Sequence, residues 1–85
     1  MKHITDYFEN GRTFVICKND RGFWAFEDKF IENGKLIKEF NGISGKLSKT
    51  LEEVVKRVHG QIVFDALIEQ GVEKGDALLR VFMGV

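Results

Sequence analysis

Two histidines, one cysteine and two serines placed ahead of a helical pattern are the residues through which this 85-residue chain could do chemistry. His3 and His59 have no second histidine, cysteine or paired carboxylate at metal-ligand spacing. A hydrolytic triad would have to join one of them to Ser44 or Ser48, and no nucleophile elbow surrounds either serine. Cys17 lies inside the apolar run Thr13 to Lys18, which predicts a buried thiol in a reducing compartment. The stretch Gly42-Ile43-Ser44-Gly45-Lys46-Leu47-Ser48 has the composition of a phosphate loop but not its spacing. Two residues separate the glycines where four are needed, and Leu47 follows the lysine where Ser or Thr should stand. The reading is of a chain with no catalytic residue, metal or cofactor, in which Lys46, Ser48 and Lys49 form at most a weak anion site.

Charge narrows the choice of partner. Thirteen Lys plus Arg balance thirteen Asp plus Glu, so no whole-molecule field draws the chain to nucleic acid or to an anionic membrane. A local patch could still read nucleic acid. Lys18, Arg21, Lys35, Lys38, Lys46 and Lys49 are the basic residues available, with Phe23, Trp24 and Phe26 as bases' stacking partners. Glu27, Asp28, Glu32 and Glu39 interrupt them on the same strands. Lys35, Lys38, Lys46 and Lys49 are retained as candidate anion or nucleic-acid contacts.

The elements that must carry these residues follow from turn chemistry. A chain of this length folds as a single domain, burying roughly 60% of its unfolded surface, and its 44% hydrophobic and 31% charged content is that of a globular protein. Asn10-Gly11 and Asn33-Gly34 each lie between runs rich in β-branched and aromatic residues, and Asn19-Asp20-Arg21-Gly22 reads as a third turn. Strands are expected near Thr13 to Lys18, Phe23 to Ile31 and Lys35 to Ile43. Residues His3 to Phe8 form an edge strand or a short helix, the strand being preferred. In the last hairpin a two-residue turn would oppose Lys29 to Lys38 and Asp28 to Glu39. A three-residue loop, Glu32-Asn33-Gly34, is therefore expected, pairing Phe26 with Phe40, Asp28 with Lys38 and Phe30 with Leu36. That register puts Trp24, Phe26, Phe30, Leu36 and Phe40 on the core face.

Thr50 with Glu53 fits a capping box, and Leu51, Val54, Val55, Val58 and Ile62 recur at helical spacing behind it. Gly60 costs about 1 kcal/mol inside a helix and is a place where the helix could divide. After Gly71 a short terminal helix is expected around Leu78, Leu79 and Phe82. The fold class is thus α+β, a three- or four-stranded antiparallel meander followed by one long or two shorter helices and a short C-terminal helix. From Ile62 onward the apolar residues surround the helix axis, more than one small sheet can cover. Val63, Phe64, Leu67, Ile68, Leu78, Leu79 and Phe82 are therefore the candidate interaction surface, for a protein partner or for self-association as a homodimer. No apolar stretch reaches the roughly 20 residues of a membrane span, and the polar start, with Lys2 and Asp6, lacks the apolar core of a signal peptide. Cytoplasmic localisation is expected.

Lys18-Asn19-Asp20-Arg21-Gly22-Phe23-Trp24, followed by a hairpin and by Thr50-Leu51-Glu52-Glu53-Val54, resembles the N-terminal βββα part of HicB-type antitoxins over roughly residues 13 to 60. The second hairpin is longer than that family's, and its proline and glycine before the third strand are missing. The strand order with Glu32-Asn33-Gly34-Lys35 also resembles the three-stranded AP2-like or integrase arm-binding modules, without their basic strands. The first resemblance implies a small regulatory or accessory protein of bacterial or phage type. With the residue-level reading it gives a non-enzymatic protein-interaction module, the alternative being a nucleic-acid-binding module that uses the sheet.

Overall fold

Hairpin chemistry builds the first half of the molecule. The computed structural model describes residues 2–33, 35–36 and 42–84. Strand β1 (Lys2–Glu9) returns as β2 (Arg12–Asn19) through Asn10 and Gly11, whose φ values of 54° and 75° are those of a type I′ turn. Glu9 faces Arg12 across it, and the pairing runs back to Lys2 opposite Lys18 with one irregularity between His3 and Thr5. The second turn is held by a side chain: Asn19 Oδ1 accepts from the backbone N–H groups of Arg21, at 2.8 Å, and Gly22, at 3.2 Å. Strand β3 (Gly22–Glu27) then completes a three-stranded antiparallel sheet in the order β1-β2-β3. The preferred strand at residues 3 to 8 is therefore present, as the sheet's edge.

Beyond Glu27 two expectations are corrected. Asp28–Phe30 forms a 3-10 turn instead of continuing the strand, and a separate ribbon follows, β4 (Ile31–Glu32) against β5 (Lys35–Leu36). Ile31 faces Leu36 and Glu32 faces Lys35, leaving two residues between the strands, of which Asn33 has φ 54°. The three-residue loop, with Phe30 opposite Leu36, is not formed. The like-charge pairs that argued for it presupposed a strand through Asp28 and Lys29, and the 3-10 turn removes both from any ladder. The intrinsic preference of Asn-Gly for the two-residue turn then decides. The expected pairs of Phe26 with Phe40 and Asp28 with Lys38 involve residues outside those described.

The sheet face that meets the helix is also the opposite of the one expected. Phe14, Ile16 and Ala25 are buried in one cluster with Val54, Val58 and Ile62, and Tyr7, Phe23 and Val55 pack against it. Cross-strand partners put Val15, Cys17, Trp24 and Phe26 on the other face, where Cys17 and Phe26 are also buried. Trp24 lies against Phe26 with ring centroids 5.0 Å apart. Ala25 at the centre of the helix-facing side lets the helix come close, where a row of large aromatics would hold it off.

Helix α1 (Leu51–Glu69) begins as its capping pattern dictates. Thr50 Oγ1 accepts from the Glu53 N–H at 3.1 Å, and the Glu53 carboxylate reaches back to the Lys49 N–H at 3.0 Å. The helix runs unbroken through Gly60. A Cβ there would lie 3.0 Å from Val81 Cγ1 of α2 (Lys74–Phe82), so the glycine is where the two helices cross closely. Val72 and Gly71 donate to the carbonyls of Leu67 and Ile68, a Schellman turn that ends α1 and redirects the chain.

Among the described residues a single backbone bridge joins the sheet to the start of α1: Phe23 N–H donates to Ser48 O at 2.8 Å, and Ser48 N–H to Phe23 O at 2.7 Å. Gly22 makes this approach possible. Its φ is +146°, and a Cβ would sit 2.5 Å from the Ser48 carbonyl oxygen. Gly22→Ala is expected to cost on the order of 2–3 kcal/mol through backbone strain and loss of the bridge. Urea unfolding reads this directly; an unchanged midpoint would show that the bridge separates without cost.

Candidate functional site

Arg12, the first residue after the β1–β2 turn, projects toward α1 and gathers most of the buried charge. Its guanidinium donates through Nη2 and Nε to the two oxygens of Glu27, at 2.6 and 3.0 Å, and through Nη1 to Asp65 of α1, at 2.8 Å. The planar fork matches a carboxylate on one edge and leaves a donor for the second. Gln61 Nε2 donates to the other Asp65 oxygen at 2.9 Å, while Gln61 Oε1 accepts the Ile43 N–H at 2.7 Å. Lys29 Nζ stands 3.7 Å from Glu27, so two cations meet two carboxylates. The hydrogen bonds from Arg12 hold the Glu27 carboxyl below its ordinary range against the opposing effect of burial. The same contacts, Glu27 first, hold the guanidinium proton more firmly than usual.

A second polar cluster joins β1 to the middle of α1. Tyr7 donates its hydroxyl to Glu9 Oε1 at 2.5 Å, and His59 Nδ1 lies 2.8 Å from the same oxygen. The bond from Tyr7, then that with His59, lowers the Glu9 carboxyl, and the Tyr7 hydroxyl is correspondingly raised. His3, the other histidine, pairs with Asp6 on the exposed edge strand at 2.7 Å. The two histidines are thus in different clusters. Burial pushes the Cys17 thiol up, which makes it a poor nucleophile. Ser44 and Ser48 are buried. Among the described residues no group of three or more His, Cys, Asp or Glu side chains could hold a metal ion.

The candidate interaction residues come together on the two helices. Helix α2 buries Ala77 against α1, while Val63, Phe64, Leu67 and Leu78 are half-buried. On the outward side Leu79 is 58% exposed, Phe82 77% and Met83 70%, and Ile68 near the end of α1 is 40% exposed. A groove of about 560 Å³ runs between the helices and the 43–45 turn, lined by Ile43, Phe64, Leu78 and Phe82 with Lys46 and Lys74 at its edge. Of the candidate anion contacts, Lys46 and Lys49 are exposed and flank the buried Ser48, and Lys35 lies on β5. Lys38 falls outside the described residues.

Sequence reasoning singled out neither the Arg12 nor the Glu9 cluster. Arg12 and Asp65 are 53 positions apart, and no local pattern links them. The available signal was indirect: an arginine and a glutamate at the two ends of otherwise apolar strands, positions where a charge must find a partner.

The clusters make stability pH-dependent in a defined sense. Glu27 and Glu9 bind protons less readily in the fold than in the unfolded chain. Their contribution is complete above the ordinary carboxylate range and is lost as pH falls through their lowered folded values. Urea midpoints of the wild type should fall on acidification to about pH 3, and Glu27→Gln should flatten that decline. At neutral pH Arg12→Met should cost about 3 kcal/mol by leaving the buried Glu27 without its hydrogen-bonded partner and with only the exposed Lys29 nearby, and adding Glu27→Met should recover much of it. Equal losses in the single and double variants would show that the pair itself, not the stranded carboxylate, carries the stability.

No protein-family model, curated protein or solved structure matches the chain. A reading of its function rests on the chemistry of its own surface.

Proposed function

We propose that this chain is a non-enzymatic protein-interaction module, a small regulatory or accessory protein of bacterial or phage type that acts in the cytoplasm. The observation that carries the proposal is the exposed apolar run Leu79, Phe82 and Met83 on α2, together with the helix groove that Phe82 also lines. Surfaces of this kind, several hundred Å² of apolar side chain with charges at the rim, mark protein contact sites. The polar clusters support the same reading, because their hydrogen bonds join one element to another: β2 and β3 to α1, and β1 to α1. They read as architecture. No helix among the described residues is long and apolar enough to cross a membrane. The bacterial or phage setting rests on the HicB-like pattern.

Nucleic-acid binding through the sheet is the second reading. Lys2 and Lys18 are cross-strand neighbours at one end of the sheet, and with Asn19 and Asp20 they line a shallow depression. A phosphate could sit against that end, with Lys18 already stacked 5.3 Å over the Phe23 ring. The sheet's central strands favour it less, since one face lies under α1 and Cys17 and Phe26 are buried on the other.

Salt separates the two readings. Binding that releases counterions from phosphates weakens steeply with salt, whereas an apolar protein interface responds little. A protein partner retained by the immobilised wild type should persist at high salt and be lost on Leu79→Glu or Phe82→Glu. Mobility shifts with mixed DNA and RNA at low salt should show no tight complex. Tight, salt-sensitive nucleic-acid binding abolished by neutralising Lys35, Lys38 and Lys46, or Lys2 and Lys18, would replace the proposal with the second reading.

A further inference from the structure

The geometry of α2 points to a second copy of this chain as the occupant of its outward face, and we infer that the protein forms an antiparallel α2–α2′ dimer. The inference rests on the interaction-module reading and names its partner. At 100° per residue, Ala77, Leu78 and Val81 form the side of α2 turned to α1. Leu79 stands nearly opposite. Gly75 and Phe82 flank it on one side; Met83, Asp76 and Arg80 flank it on the other. All six are exposed. The face is therefore an apolar stripe with one small residue, one large ring and one pair of opposite charges.

Those features are self-complementary under one symmetry. A two-fold axis perpendicular to two antiparallel helices returns each flank to the same flank of its partner and sets the first turn of one helix beside the last turn of the other. Asp76 then meets Arg80 of the second copy, and Arg80 meets its Asp76. Neither forms an ion pair with any described residue of its own chain. On the opposite flank the same register sets Gly75 against Phe82 of the second copy. A Cβ at Gly75 would meet nothing within 4 Å, so the space that ring needs is open. Leu79 meets its own counterpart near the axis, and the antiparallel arrangement also opposes the two helix dipoles favourably. A parallel pair, whose two-fold axis runs along the helices, would set the charged flank of each against the Gly75 and Phe82 flank of the other and leave Asp76 and Arg80 with no opposite charge to meet.

The exposed area sets the strength. Leu79, Phe82 and Met83 offer on the order of 400 Å² of apolar surface per chain, below the roughly 800 Å² per partner of a standard interface. The dimer should accordingly dissociate in the micromolar range.

Sedimentation velocity across micromolar to millimolar concentrations tests the inference. The wild type should pass from monomer to dimer, and Leu79→Glu should remain monomeric. Asp76→Arg and Arg80→Asp should each weaken self-association at least about tenfold, since each places like charges opposite one another across the axis. Mixing those two variants should restore a dimer, now a heterodimer, because every crossing pair is again of opposite sign. Circular dichroism confirms folding, as the changed side chains are exposed. A wild type monomeric at millimolar concentration overturns the inference. So does a dimer indifferent to both charge reversals, as one formed through the β1 edge would be. If the wild type is monomeric yet a captured protein is lost on Leu79→Glu, the interaction-module reading stands and the second-copy inference alone falls.

Discussion

The Arg12 guanidinium sits where the sheet and the long helix close on one another, and the packing of that junction is conditional on its being satisfied. Glu27 ends β3 on the helix-facing side and is buried there, and an unpaired carboxylate in that position would cost several kcal/mol. Arg12 neutralises it in a bidentate pair, reaches Asp65 with its remaining edge, and lies over the Phe14 ring at 5.1 Å. Gln61 extends the chain of contacts from Asp65 to the backbone of the 43–45 turn. One network thus fixes the rotation of α1 about its axis, the placement of the sheet-to-helix connection and the exit of β3. Net strength is a separate matter. Buried ion pairs often do no better than apolar substitutes, so the network's contribution is to exclude other docking angles of a helix whose apolar contacts alone would tolerate them.

Once α1 is fixed, its second half determines the rest. Gly60 forgoes about 1 kcal/mol of helix propensity, and the missing side chain lets Val81 approach closely enough for α2 to lie across α1. That crossing covers one side of each helix. The Schellman turn at Gly71 sets the direction of return, and α2 is too short to wrap further. The exposed stripe is therefore a consequence of chain geometry: a nine-residue helix crossing at a glycine meets no second layer among the described residues to bury its outer side.

Local signals in this sequence were legible and long-range ones were not. Asn10-Gly11, the Asn19 turn and the Thr50–Glu53 cap each act within four residues, and each stands in the structure where the sequence places it. The choice of sheet face could not be read that way. Phe14 and Ile16 alternate with Val15 and Cys17, and Ala25 with Trp24 and Phe26, so both faces of β2 and β3 are apolar and period-2 alternation carries no sign. Ring size suggested the Trp24 face; the small Ala25 and the charges at Arg12 and Glu27 decided for the other. The turn after Glu32 failed for a related reason, since its register was argued from a strand that the 3-10 turn at Asp28–Phe30 interrupts. Of the candidate surface residues Ile68, Leu79 and Phe82 are exposed, while Val63, Phe64, Leu67 and Leu78 are half-buried between the helices. The sequence-level argument weighed apolar content against the area available to cover it and carried no information on which residues the helix crossing would cover.

That surplus leaves large apolar side chains exposed on the outer side of α2. A helix of nine residues is shorter than the roughly 12–15 needed for even marginal stability in isolation, so its helicity depends on docking against α1. The docking contacts are Ala77, Leu78 and Val81. Leu79 and Met83 take no share in them, Phe82 only lines the groove beside Leu78, and as exposed apolar groups the three favour association over solubility. Residues needed only to hold α2 down would face inward, and residues needed only to keep the chain dispersed would be charged. A stripe that does neither is open to contact outside its own chain, and contact of the kind proposed above would in turn stabilise the helix that presents it.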